Sequence, residues 1–236
     1  MNRVDVVRWT FWSPESSDPA QWLDRWRSTG AEPVDGNPGA EQIPPMQRRR
    51  MSRLTKMALT VALDATVDAP VDYSIFCSQH GEIVRTREIL ASISDGVEIS
   101  PTAFAQSVHN TSSGLYTIIA KSNHASTSIA SGANSFAHAW LEAQAYLAGN
   151  PAHRVLLVDF DEVIPEEYRS YSQQIDCDHA LAMLLTAAPD GGIEMTRSAD
   201  AVDQDLPQGP QFLAWIQSEQ RELTLGSDGQ GWQWAR

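Results

Sequence analysis

Residues Ser122 to Gly149 constrain the chain most: a run rich in Ser, Thr and Ala passes through Ser131-Gly132 straight into a helix. Phe136, Trp140, Ala143 and Leu147 recur about every four residues, which places them on one helical face. Ala133, Ala137, Ala139, Ala145 and Ala148 fill much of the remainder, and Glu142 is the one formal charge. A helix that is small or apolar nearly all round is a buried helix, and its alanines let neighbouring backbone come close. A small-residue turn feeding such a helix is also where folds set a nucleophile or bind an anion. This turn contains no cysteine.

A hydrophobic content of 42% over 236 residues supports a packed core, as one good-sized domain or two small ones. The formal charge of −13 argues against nonspecific binding to nucleic acid or an anionic membrane, though it leaves room for a local basic patch. Cys77 and Cys177 are too few for a disulfide framework and form no metal-type pair, so a reducing cytoplasm is expected. Arg3, Asp5 and Arg8 interrupt the apolar stretch near the start, so no signal peptide is expected. No run approaches the ~20 apolar residues of a membrane span.

Strands are expected at residues 3–12, 72–78, 154–160, 179–188 and about 193–199, from β-branched and aromatic content. Arg154 to Phe160 is a continuous apolar run, the pattern of a strand covered on both faces. Helices are expected at 51–65, 86–93, from Pro101, at about 112–120, at 136–148 and at 210–218. Residues 14–45 read as loop, short helix and loop, and the Gly231-Trp232-Gln233-Trp234 tail carries no assignment. Strands alternating with helices predict an α/β layered domain with a largely parallel or mixed sheet.

Several residues invite a chemical reading. Ser131 and Ser135 flank the turn, but no Gly-x-Ser-x-Gly elbow is present, so a steric turn is the expected role. Cys77 with His80 suggests a Cys/His pair, against a buried structural thiol. His109-Asn110 suggests a base and its orienter, against a loop fastener. Asp159 and Asp161 after an apolar strand suggest oxygen ligands for Mg²⁺ or Mn²⁺, as in a metal-dependent glycosyltransferase, against solvated loop charges. Arg48, Arg49, Arg50, Arg53 and Lys56 form a positive run, either a solvated helix start or a docking site for an acidic acyl carrier protein.

The order RRRMSRLTKMALTVALDA, YSIFCSQHGE, SPTAFAQSVHN, SSGL, the central turn and helix, then VLLVDFDE resembles the N-terminal half of β-ketoacyl synthases over roughly residues 45–190. The nearest subset is the chain-length-factor-like subunits of aryl polyene and xanthomonadin-type pigment pathways. The resemblance implies a thiolase-like half-fold, a mixed β-sheet layered with helices around a buried central helix, formed by residues 1–236 as one domain with 14–45 as an irregular insert. In that family a Cys-Ser-Ser-Ser run opens the buried helix. Setting its last serine on Ser135 and the helix's closing glycine on Gly149 puts Gly132 at the cysteine's position. Glycine cannot carry an acyl thioester. Neither His153 nor His179 sits in a motif matching the family's catalytic histidines, which lie in the second half of that fold.

The resemblance therefore implies a noncatalytic subunit, without cofactor or metal, that pairs with an active ketosynthase as a heterodimer or with itself when isolated. Ser122, Asn123, His124, Ala125, Ser126, Thr127 and Ser128 would form the strand that pairs across the interface. Phe104, Val108, Phe136 and Trp140 would line or plug the tunnel for the growing acyl chain, against plain core packing. Arg48, Arg49, Arg50 and Arg53 would receive the acyl carrier protein. The enzymatic alternative is a truncated acyltransferase or decarboxylase with another nucleophile.

Overall fold

The structure is a computed structural model that describes residues 3–28, 31–172, 174 and 176–236. Five strands make the main sheet: β1 (Val4–Trp12), β2 (Tyr73–Cys77), β3 (Ala125–Ile129), β4 (Arg154–Asp161) and β5 (His179–Ala187). Their order is β1-β5-β4-β2-β3. β3, β2 and β4 run parallel, whereas β5 is antiparallel to both β4 and β1. The sheet is mixed, as expected.

Eight α-helices accompany it among the described residues: α1 (Pro19–Arg27), α2 (Pro45–Arg48), α3 (Arg53–Ala65), α4 (Ile83–Ser94), α5 (Pro101–Ala105), α6 (Thr111–Ile119), α7 (Ser135–Gly149) and α8 (Gln208–Ile216). α3 starts where the Ser52 hydroxyl accepts the Thr55 N–H, satisfying an orphan donor of the first turn. The Arg48–Arg50 run consequently lies on α2 and its exit, one short turn before α3 rather than at its start.

Pleating explains why the apolar run of β4 is buried throughout. Val155 and Leu157 face one core, with α7, Phe212 and Trp234. Leu156, Val158 and Phe160 face the other, with Leu54, Ala58 and Val61 of α3. On α7 the anticipated face, Phe136, Trp140, Ala143 and Leu147, is the buried one. α1 is tied down as well: Trp22, Leu23 and Trp26 are buried, and the helix packs on α8.

A second sheet joins the strand expected at about 193–199 to two strands that the sequence did not announce. β6 (Glu194–Arg197), β7 (Glu222–Ser227) and β8 (Gln230–Ala235) pair in the order β6-β8-β7, all antiparallel. The tail without assignment is β8, and its Trp232 and Trp234 are buried.

Candidate functional site

The turn before α7 is built from Gly132 upward. Gly132 has φ +56°, in the left-handed region, where an ordinary L residue pays roughly 1–2 kcal/mol. Space does not demand glycine, because an added Cβ would meet nothing nearer than Asp228 Oδ2 at 3.4 Å. The Ser135 hydroxyl donates to the Gly132 carbonyl at 2.7 Å and accepts the Ser131 N–H at 2.9 Å. Ser135 is thus committed to closing the turn, the steric role, and Ser131 enters it through its backbone N–H. Gly132 itself is exposed, while the chain from Ala133 to Ala137 is buried.

A polar clamp holds the head of α7. Asn134, 1% exposed, donates to the Ser227 carbonyl at 2.9 Å and accepts from Trp232 Nε1 at 2.9 Å and Gln208 Nε2 at 3.1 Å. Gln208 Oε1 takes the Ala137 N–H at 3.3 Å. A helix N-terminal donor that an anion could have claimed is therefore satisfied from within. Sequence reasoning missed Asn134, Gln208 and Trp232 as a unit, since their separations of 74 and 98 residues leave no local trace.

Beneath the turn lies a cleft of about 10 Å³ lined by Gly132, Ser135, Asp159, Asp161, His179 and Gln208. Such a space holds about one water and excludes an acyl chain. Asp159 accepts from the Cys77 thiol at 3.3 Å and pairs with His179 Nε2 at 3.4 Å. Burial pulls the His179 imidazole toward neutrality, but Asp159 and Cys177 outweigh it and hold the ring's pKa well above its ordinary value. Burial, reinforced by Asp159, pushes the Cys77 thiol well up, so Cys77 is inert rather than half of a reactive pair with His80. Asp161 accepts from the Ser78 hydroxyl at 2.7 Å and from the N–H groups of Gln79 and His80 at 2.8 and 3.1 Å. Both carboxylates are bound to internal donors, and Asp159 is buried, which corrects the expectation of solvated loop charges for it. His109 reaches the Ser78 carbonyl at 3.0 Å and packs over Gly81, the loop-fastening role.

The four tunnel candidates are not brought together. Phe136 and Trp140 lie in an aromatic core with Phe212 and Trp234, whereas Phe104 and Val108 are 66% and 50% exposed. Ser122, Asn123 and His124 lead into β3, which holds Ala125 to Ser128 and pairs with β2 alone among the described strands. Its outer edge is open. Leu90, Ile93, Val97 and Ile118 add exposed apolar side chains on the α4–α6 segment that precedes β3 in the chain.

Of the basic run, Arg49 and Arg50 are exposed, and Arg48 reaches the Ala40 carbonyl at 3.1 Å. Arg53 requires a correction. Its guanidinium grips Asp178 through two bonds of 2.8 and 2.7 Å, its Nε donates to the Gly36 carbonyl at 2.7 Å, and Glu162 lies 3.7 Å away. A forked, charge-assisted pair of this kind leaves no free cation for docking.

Burial raises the Glu162 carboxyl; Arg53 opposes, and Glu82, Asp178 and Asp161 add to the rise, leaving its pKa at about 7. The folded state therefore binds the Glu162 proton more tightly than the unfolded chain does, and stability falls as pH rises from about 4.5 to about 7. His179, also raised, loses its contribution in the same direction above about pH 6.5. Glu162→Gln should remove the first slope, worth up to about 3 kcal/mol, as read from urea midpoints between pH 4.5 and 8. An unchanged difference between variant and parent across that range would contradict this assignment.

A family described as "Beta-ketoacyl synthase, N-terminal domain" matches residues 22–235. Among solved structures, one titled as a ketosynthase (ApeO) in complex with its chain length factor (ApeC), from Xenorhabdus doucetiae, is 30% identical, with 99% of each chain covered and a TM-score of 0.86. The ishigamide ketosynthase/chain length factor is 16% identical over 84% of this chain and 68% of its own, with a TM-score of 0.64. A type II polyketide synthase ketosynthase bound to its acyl-carrier protein (AntDE:AntF) is 14% identical over 84% of this chain and 70% of its own, with a TM-score of 0.63. The last two likenesses concern the fold. No curated protein matches the chain.

Proposed function

Because the chain belongs to the β-ketoacyl synthase family, as an N-terminal-domain member with the thiolase-like half-fold, we propose that it is a noncatalytic, chain-length-factor-like subunit of an active ketosynthase. Gly132 carries this reading: a residue with no side chain stands in the turn just before α7, at the position that the resemblance equates with the family's nucleophilic cysteine. Condensation needs a sulfur to hold the acyl group between transfer and bond formation, so the chemistry falls to a partner. The nearby alternatives are engaged, with Cys77 buried against Asp159 and Ser135 closing the turn.

The partner meets the open edge of β3. Ala125 to Ile129 hold no charge, proline or bulge to discourage pairing, the protections that a solvent-facing edge requires. Phe104 and Val108, exposed on this chain, would become tunnel wall only between the two subunits, while Phe136 and Trp140 support that wall as core. Arg48, Arg49 and Arg50 stand out from a chain of net charge −13 and would receive the acidic carrier protein. Pairing of this kind sets the length of the chain the ketosynthase builds, in aryl polyene or polyketide-type synthesis.

Co-expression with candidate ketosynthases tests the pairing. The expected product is a 1:1 heterodimer. Ser126→Pro, which removes an N–H from the open side of β3 while Thr127 and Ile129 keep the ladder to β2, should reduce co-purification at least tenfold while the chain stays folded by circular dichroism. Copurification unaffected by Ser126→Pro would move the interface elsewhere, and failure to pair with any of them would remove the subunit reading.

A further inference from the structure

The β7–β8 hairpin ends over the turn that holds Gly132. Asp228 and Gly229 at its tip both have left-handed φ, +51° and +69°, the two-residue turn that an Asp-Gly pair favours. The tip is held on several sides. The Ser227 carbonyl accepts from Asn134 Nδ2 at 2.9 Å, and the Gly229 N–H donates to both Asp203 carboxylate oxygens at 3.2 and 3.1 Å. The preceding loop braces the ladder, with Ser198 N–H to the Gly231 carbonyl and Gln204 N–H to the Gly226 carbonyl, each at 2.9 Å. These tethers bring Asp228 Oδ2 within 3.4 Å of where a Cβ on Gly132 would sit.

The Asp228 carboxylate forms no hydrogen bond or ion pair among the described residues. The other ionisable groups facing the turn, Asp159, Asp161 and His179, line the cleft below it and are engaged with one another, with Cys77 or with the residue 78–80 loop. An exposed carboxylate aimed at one backbone position, on a tip fixed by its neighbours, is the remaining charge with nothing to neutralise it.

We infer that Asp228 is the residue that sets the charge selectivity of the Gly132 turn, disfavouring thiolates, oxyanions and carboxylate-bearing acyl groups there and favouring neutral or cationic ones. The inference rests on Gly132 as the position equivalent to the nucleophile. On it, the chain excludes acyl-thioester chemistry twice, by the missing sulfur and by a fixed negative charge where anions would form. Two charges about 5 Å apart and screened as in bulk water, the case for an exposed tip, change a rate about three- to fivefold in low salt, and added salt screens the effect.

Gly132→Cys provides the probe, alone and with Asp228→Asn, alkylated by neutral iodoacetamide and by anionic iodoacetate. In each reaction the thiol gives its proton to buffer, the sulfur bonds to the reagent's methylene carbon, and iodide leaves with the carbon–iodine electron pair. Cys77 and Cys177 are buried, and the parent chain supplies their background. The ratio of iodoacetate to iodoacetamide rates should rise about three- to fivefold on Asp228→Asn in low salt, and the rise should vanish at 1 M NaCl. An equal ratio with and without Asp228 would overturn the inference. Ala130→Cys, which leaves the left-handed glycine in place, repeats the comparison should Gly132→Cys not fold. The ratio is measured on this chain alone, so it succeeds or fails independently of any pairing with a ketosynthase.

Discussion

Trp140→Ala is expected to destabilise the chain by about 4 kcal/mol, within the range for removing a large aromatic side chain from a core. The indole is fully buried, with its ring 4.8 Å from Phe212 and 6.5 Å from Phe136. The cavity left behind would be walled by α7, α8 and the strand faces of β4 and β5, whose backbone is fixed by sheet pairing and cannot close in. Trp140→Phe should cost under about 2 kcal/mol, because the indole N–H has no acceptor among the described residues and its removal leaves no partner group stranded. Urea midpoints at constant m-value read both effects. The pair of variants also separates core from tunnel. If Trp140 lined an acyl channel, Trp140→Ala would change product length in the heterodimer and leave the midpoint nearly where it was.

Much of the fold was legible because burial has a period. The apolar run of β4 and the four-residue recurrence on α3 and α7 both report which faces meet the core, and the structure puts those faces there. The irregular segment was read correctly as holding a short helix, since Trp22, Leu23 and Trp26 sit on one side of α1. The β7–β8 hairpin escaped although its signals were present. Asp228-Gly229 is a hairpin dipeptide, and Gly231-Trp232-Gln233-Trp234 alternates, but four residues at the chain's end are too short a run to distinguish a strand from an irregular tail.

The site was less legible than the fold. The turn and the helix it feeds could be read together, because Ser131-Gly132 and α7 lie in one local stretch. Arg53 could not be told from its neighbours: it stands in a basic run, and the carboxylate that claims it is 125 residues away. The Asn134–Gln208–Trp232 clamp depends likewise on contacts that only the folded topology creates. Asp228 is the clearest example. Nothing near it in sequence hints that the tip of one hairpin lies over the turn of another element.

The chain shares its family's scaffold, and on the proposed reading it lacks the family's sulfur at Gly132. A fold that keeps the buried helix and the closed turn, and on this reading offers β3 to a partner and holds no sulfur before that helix, is suited to shape a reaction performed next door. The decisive measurement is intact-mass analysis of the chain, alone and with its ketosynthase, after incubation with malonyl- and acyl-loaded carrier protein. The predicted result is acyl mass on the ketosynthase and none on this chain in either sample. A covalent acyl adduct on this chain, formed when the ketosynthase is absent, would contradict the assignment.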